Sequence, residues 1–275
     1  MLKAEDYVKV TSLSERDSED LLSEYLVSMT WKAGERVLDL GCGPCLVTMK
    51  VLLPRLPEDI EILVGTDVSS DMLQLASSKY PHPKLKLIQM DLGKEIPAVS
   101  ELRTPGFDKI FSFHALHWIP DQRQVVTNIY NMLRPGGVAL LSLVARSYVG
   151  TAFLNQSRKK EWQPYVEDFQ KIFLPYQYSQ DPAEDFKNIL KDVGFEIIDC
   201  KCRELTYDFK LTSRMKDFIT VINPFVSQMP KELQDICITD YLMELTKIKF
   251  AREGKEDNNV TELNYDQIVA YIKKV

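Results

Sequence analysis

The chain has 275 residues, 45% hydrophobic and 27% charged, with a formal net charge of −6; it can bury a sizeable core and has the make-up of an ordinary globular protein. Its 34 Lys and Arg are interspersed among 40 Asp and Glu, which leaves no basic stripe for nucleic-acid phosphates. No apolar run approaches the roughly 18 residues of a membrane span, and the N-terminus has no signal-peptide core; five cysteines without disulfide-like spacing predict free thiols and a reducing, cytoplasmic setting.

Leu21, Leu22, Tyr25, Leu26 and Met29 recur at helical spacing, so an amphipathic helix over 15–29 precedes the first strand. Strand one is expected at 36–40, its crossover helix at 48–56 and strand two at 61–67. Ser69-Ser70-Asp71 offers N-cap chemistry for a helix over 72–80. Strand three follows at 85–90. Strand four, at 107–113, is almost wholly apolar, as a strand buried on both faces should be. A helix over 121–133 is expected to stop at the loop signal Arg134-Pro135-Gly136-Gly137, before strand five at 138–144. The alternation then breaks into an aromatic, polar segment at 146–182 and resumes with a helix over 183–193 and a strand over 195–204. A helical segment over 211–260 and a last strand at 261–273 complete the chain. This pattern predicts an α/β fold, a doubly wound parallel sheet with right-handed crossovers. Its units are a core at 1–145, a lid insertion at 146–182, core again at 183–210, a helical substrate cap at 211–260 and a final core strand at 261–275.

Strand one reaches Asp39 and then the turn Gly41-Cys42-Gly43, and strand two ends on Asp67. Glycine at such a turn admits positive φ and close approach of a ligand, and the second acid falls where doubly wound folds accept ribose hydroxyls. The sixth position of a G-x-G-x-x-G pattern is Leu46, and no Lys-Ser/Thr follows as in a phosphate loop. A turn opened by an acid suits a cationic or zwitterionic ligand better than a pyrophosphate. Strand four runs into Phe111-Ser112-Phe113-His114-Ala115-Leu116-His117-Trp118, which holds two of the three histidines and one of the three tryptophans. A metal would need a third ligand beside His114 and His117, and none stands at recognisable spacing. Ser112 and Phe113 are expected to line the cofactor cleft. Trp118, an apolar wall with one N–H donor, is expected to face the acceptor.

The acid–glycine turn with Asp67 and Asp91 resembles the cofactor site of class I S-adenosylmethionine-dependent methyltransferases, whose sheet is Rossmann-like. That resemblance implies a cofactor set of Asp39, Gly41, Gly43, Asp67, Val68, Asp91, Leu92, Ser112 and Phe113, with Asp91 near the adenine amino group. Cys45 stands at the family's third glycine position, after Pro44. Further segments resemble insect juvenile hormone acid methyltransferases: Tyr7 with Ser12-Leu13 and Arg16-Asp17; Trp31-Lys32; Leu116–Ile119 with Asp121-Gln122; Trp162; Pro175-Tyr176; Val193–Phe195; Ile222–Phe225; and Asn258–Val260 with Asn264-Tyr265. The resemblance implies methyl transfer from S-adenosylmethionine to the carboxylate of a farnesoid or juvenile-hormone-type acid. Such chemistry rests on proximity and exclusion of water rather than on acid–base groups. It also implies that Trp118, Ser14 and His117 hold the acceptor carboxylate; the aromatic content of the two insertions and their positions after strands five and six predict Trp162, Tyr165 and Phe225 in the apolar wall. Ser14 occupies a position where the family has a glutamine, a longer arm.

Three functions are compatible with these residues: an O-methyltransferase for a lipophilic acid, a methyltransferase for another small amine, phenol or acid, and a cofactor-fold protein that binds without catalysis. The expected partner is a small molecule rather than nucleic acid or a membrane, and the expected assembly is a monomer or homodimer.

Overall fold

Seven strands form one sheet in the order β3-β2-β1-β4-β5-β7-β6. They are β1 (Arg36–Leu40), β2 (Ile62–Asp67), β3 (Leu85–Gln89), β4 (Phe107–Phe113), β5 (Leu133–Ser147), β6 (Phe195–Asp208) and β7 (Glu262–Lys274). The computed structural model describes residues 4–165, 174–223, 226, 229–253 and 261–275. The first five strands are parallel, and β7 runs antiparallel between β5 and β6. The chain leaves β1 towards β3 and then returns to β4 on the other side. The carboxyl ends of β1 and β4 therefore meet where the strand order reverses, which is where open α/β sheets bind ligands.

Helices cover both faces. On one, α4 (Gln122–Met132) and α6 (Pro182–Val193) bury Val125, Ile129, Phe186 and Leu190 against Leu38, Leu40 and Ile110. On the other, α2 (Ser12–Tyr25), which follows the single turn α1 (Ala4–Tyr7), buries Leu21, Leu22 and Tyr25 against Val37, Leu63 and Phe111. Side-chain caps start two helices, the first as the sequence suggests. Ser69 Oγ accepts from Met72 N–H at the head of α3 (Ser70–Lys79), and Asp121 Oδ1 accepts from Gln124 N–H at the head of α4.

Two local expectations are corrected. The crossover over 48–56 is a wide π turn at Thr48–Leu52, closed by a hydrogen bond from Leu53 N–H to Thr48 C=O, followed by a tight turn at Leu53–Arg55. Pro54 has no N–H, and its ring would clash with the carbonyl four residues back, so a regular α-helix cannot run through it. The loop expected at 134–137 is a bulge within β5. Between the pairs Phe107↔Leu133 and Lys109↔Val138, β4 advances two residues and β5 five, and Gly136 absorbs the excess at φ +79°.

Beyond the ends of β5 and β7 a second apolar cluster joins α5 (Tyr148–Ser157), α7 (Thr212–Ile222) and α8 (Lys231–Glu253) to Leu13 of α2 and Tyr265 of β7. None of the helices among the described residues is long and apolar enough to cross a membrane. Tyr241 of α8 is fully buried, tilts against Phe153 with ring centroids 4.5 Å apart and donates to Val149 C=O at 2.9 Å. Tyr241→Phe leaves that carbonyl without its donor and should destabilise the helical cluster by about 1–2 kcal/mol. Chemical denaturation should register that loss.

Candidate functional site

The register of β1 on β2 sets the first half of the site. Gly41 N–H and Cys42 N–H both donate to Thr66 C=O, at 2.8 and 2.9 Å, which pins the turn after β1 to the end of β2. Gly41 has φ +70°, and a Cβ there would lie 2.2 Å from Ala115 Cβ; no other residue fits. Gly43 N–H donates to Asp67 Oδ2 at 2.9 Å, and the other carboxylate oxygen accepts from Ser69 N–H at 2.9 Å. Cys45, at the family's third glycine position, adopts the left-handed conformation itself, with φ +58°. Its sulfur and that of Cys42 pack over Gly65 of β2, where a Cβ would stand 3.4 and 3.1 Å from them.

Asp39 is 3% exposed, and its Oδ2 accepts from Thr48 Oγ1 at 2.6 Å. Burial, with a contribution from Asp67, pushes its pKa up to about 6. Burial also raises Asp67 against the opposing effect of the backbone N–H groups it accepts. Asp39 lies in a cleft walled by Tyr7, Ser14, Gly41, Gly43 and Phe113. Tyr7 Cε1 lies 3.8 Å from where a Cβ on Gly43 would stand, and burial together with Asp67 pushes the phenol up to about 12. S-adenosylmethionine fits this donor set. Its sulfonium and ammonium complement two desolvated carboxylates, and its ribose hydroxyls can use the lone pairs Asp67 retains.

The remaining expected cofactor residues divide. Phe113 lines the cleft. Ser112 is fully buried and donates to Leu40 C=O at 2.9 Å, fastening β4 to β1 instead of facing a ligand. Leu92 belongs to the sheet core, and Val68 is exposed. Asp91 Oδ1 accepts from Gly93 N–H at 3.0 Å, and its other oxygen is 3.2 Å from Lys94 Nζ.

A second pocket of about 110 Å³ adjoins the cleft, and Tyr7 and Ser14 line both. Its walls are apolar, with Leu13, Val149, Leu174, Phe218, Ile222 and Leu263 drawn from α2, β7 and both predicted insertions. It also holds His114, His117, Trp118 and Tyr265. His117 Nδ1 accepts from Val144 N–H at 3.4 Å, which leaves the proton on Nε2. Burial, helped by His114, drives its pKa down to about 3, so it is a neutral N–H donor. The Trp118 ring tilts against His117 at 5.2 Å. Ser14 is present, but its hydroxyl donates to Thr11 C=O at 2.8 Å.

Trp162 and Tyr165 are not brought to this pocket. They line a separate surface groove against α8, and Trp162 Nε1 donates to Asp240 Oδ2 at 2.8 Å. Phe225 lies outside the described residues. What the sequence did not reveal is a buried network beside the pocket. Asp17 accepts from His114 Nε2 at 2.7 Å, from Tyr265 Oη at 2.5 Å and from Arg16 Nη2 at 2.6 Å. These bonds hold its carboxyl below the usual range although burial works the other way. Arg16-Asp17, His114 and Tyr265 each stand in segments noted in the sequence, but no local signal joins them. Among the described residues no group of three His, Cys, Asp or Glu side chains could hold a metal ion.

Because Asp39 titrates near 6 when folded and at 3.8 as an ordinary aspartate, its neutral form favours the fold. Its contribution is present below about pH 4 and lost as pH rises through 6. Asp39→Asn keeps an acceptor for Thr48 and removes that loss. At pH 8 the unliganded variant should be more stable than the wild type by on the order of 1–3 kcal/mol. The difference should vanish near pH 4 in denaturation experiments, while calorimetry shows weaker S-adenosylmethionine binding.

A model of the methyltransferase domain matches residues 38–141, which span β1 to β5. The juvenile hormone acid O-methyltransferase of Bombyx mori is 31% identical over 281 aligned positions, covering 100% of this chain and 98% of the relative. That of Drosophila melanogaster is 30% identical, covering 100% and 93%. A Bacillus halodurans C-125 protein of known structure (BH2331) superposes with a TM-score of 0.62 at 18% identity, covering 94% of this chain and 99% of that one, which establishes the fold. With the acid–glycine turn, the Asp39 and Asp67 carboxylates and full-length likeness to both insect enzymes, the chain belongs to the juvenile hormone acid O-methyltransferase family of class I, S-adenosylmethionine-dependent methyltransferases.

Proposed function

We propose that this methyltransferase esterifies the carboxylate of a small lipophilic acid of farnesoid or juvenile-hormone type. One observation carries the reading: a mostly apolar pocket that also holds His114, His117, Trp118 and Tyr265 adjoins the cofactor cleft, and Tyr7 and Ser14 are shared between the two. The isoprenoid chain lies along Leu13, Val149, Phe218 and Ile222, where its burial supplies binding energy in proportion to area. The carboxylate lies within reach of the His117 and Trp118 N–H donors. The names of the Bombyx mori and Drosophila melanogaster relatives support the same acceptor class.

S-adenosylmethionine, when bound, supplies a methyl group already activated on a sulfonium. A carboxylate is already the nucleophile, so the chain has no proton to remove. Its residues bind and orient the acid and keep water from the reacting atoms. The neutral state of His117 matters here, because it donates a hydrogen bond without adding charge. The segments 146–182 and 211–260 act as the cap that closes over the acceptor.

Incubation with methyl-labelled cofactor and a panel of farnesoid, fatty and aromatic acids, amines and phenols tests this reading. Farnesoid acids should be methylated in preference to the others; preference for an amine or phenol would overturn it. Trp118→Phe keeps the bulk and loses the N–H, and should lower kcat/KM about tenfold to a hundredfold, equivalent to 1–3 kcal/mol, with S-adenosylmethionine affinity unchanged. Ser14→Ala, whose hydroxyl proton is engaged by Thr11, should change acid methylation less than about threefold.

A further inference from the structure

The turn after β1 holds two thiols that methyl transfer does not use. Cys42 and Cys45 are both free, and Cys45 N–H donates to Cys42 C=O at 3.0 Å, which closes a four-residue turn around Gly43 and Pro44. Such a turn brings its first and last Cα within about 7 Å, and a disulfide spans roughly 4.4–6.8 Å. The two side chains point the same way, since both sulfurs pack over one position, that of a Cβ on Gly65, at 3.1 and 3.4 Å. A hydrogen bond with the Cys45 thiol, helped by burial, raises Cys42 well above the usual thiol range. The two differ in access. Cys45 is fully buried, whereas Cys42 is 9% exposed and forms part of the wall of the cofactor cleft. That is how a reactive thiol and its resolving partner are arranged, and a C-x-x-C spacing beside a βα crossover is a recurrent redox pattern. The second thiol stands at the family's third glycine position, so the pair is not part of the family's cofactor site.

We propose that Cys42 and Cys45 are an oxidation site: hydrogen peroxide entering through the cofactor cleft converts them to a disulfide, and the disulfide weakens S-adenosylmethionine binding. The Cys42 sulfur attacks one peroxide oxygen. The O–O bond breaks, leaving a sulfenic acid and a hydroxide that departs as water with the Cys42 proton. The Cys45 sulfur then attacks the sulfenic sulfur, the S–O bond breaks, and the hydroxyl leaves with the Cys45 proton as a second water. Two thiols are oxidised by two electrons in all, and the peroxide is reduced to two waters. The ring so formed contains Gly43, whose N–H holds Asp67 Oδ2 at 2.9 Å. Bringing the sulfurs to bonded distance therefore moves the residue that fastens one of the two carboxylates at the strand ends. Because Cys42 is held as a thiol, the reaction is slow at neutral pH, and a bound cofactor that covers Cys42 slows it further. By linkage, bound cofactor favours the reduced pair by the same factor with which the disulfide weakens its binding.

The test treats the reduced full-length protein with hydrogen peroxide, with and without S-adenosylhomocysteine, then alkylates it under denaturing conditions and maps the peptides by mass spectrometry. Calorimetry gives the Kd of S-adenosylmethionine before oxidation, after it, and after dithiothreitol. The wild type should yield a peptide in which Cys42 and Cys45 are joined, lighter by two hydrogens. S-adenosylhomocysteine at about 100 times its Kd leaves about 1% of the clefts free, so it should slow formation of that disulfide by about tenfold or more. The Kd of the oxidised protein should rise about tenfold, on the scale of one lost hydrogen bond, and return with dithiothreitol. Cys45→Gly, a residue suited to the φ of +58° there, removes the resolving thiol and should give a Cys42 sulfenic acid that dimedone captures, with no disulfide. A wild type in which both thiols remain open to alkylation overturns the proposal. A disulfide that forms equally fast with S-adenosylhomocysteine bound overturns the cleft as the route, and an unchanged Kd overturns the effect on binding. If Cys45→Gly does not fold, the wild-type map decides. None of these measurements involves the acceptor, so their failure leaves the acid reading standing.

Discussion

Two carboxylates brought out of water at the ends of neighbouring strands set the terms for everything around them. Asp39 and Asp67 are each driven towards the neutral form by burial, and Asp39 feels the charge of Asp67 as well. What holds them is local: one hydroxyl from Thr48, two backbone N–H groups from Gly43 and Ser69, and a glycine turn that can be nothing else at Gly41. A protein optimised for stability alone would place a neutral residue there. The arrangement makes physical sense as a receptor for a cation, whose arrival turns an unfavourable pair of charges into a favourable one.

The same strand ends organise the acceptor side. Ala115 packs where a Cβ on Gly41 would stand, so the loop carrying His114, His117 and Trp118 is seated directly against the cofactor turn. Asp39 thus lies in one cavity and His117 and Trp118 in the other, with Tyr7 and Ser14 on the wall of both. The helical cluster at 148–157, 212–222 and 231–253 adds an apolar enclosure without contributing charge to the pocket.

How much of this was legible in the sequence depends on the range over which each signal acts. The strand–acid–glycine unit, Asp67 and the cap of α3 are written in runs of a few residues, and the sheet follows from their spacing. Local chemistry that competes with periodicity was harder to read. Pro54 widens a crossover helix into a π turn, and four turn-forming residues at 134–137 are absorbed as a bulge because β4 continues alongside. Aromatic content signalled burial for Trp162 and Tyr165 but carried no direction, and both face α8. The Asp17 network was beyond local reading, since it joins α2, the end of β4 and β7 across up to 248 positions of chain.

Tyr7 and Ser14 belong to a short N-terminal stretch, and each touches both cavities. A segment with one face in each binding site makes the two binding free energies interdependent. Whatever factor the cofactor applies to acceptor affinity by ordering this stretch, the acceptor must apply to cofactor affinity, because linkage is reciprocal. A single substitution at Tyr7 or Ser14 therefore alters a wall of both cavities at once.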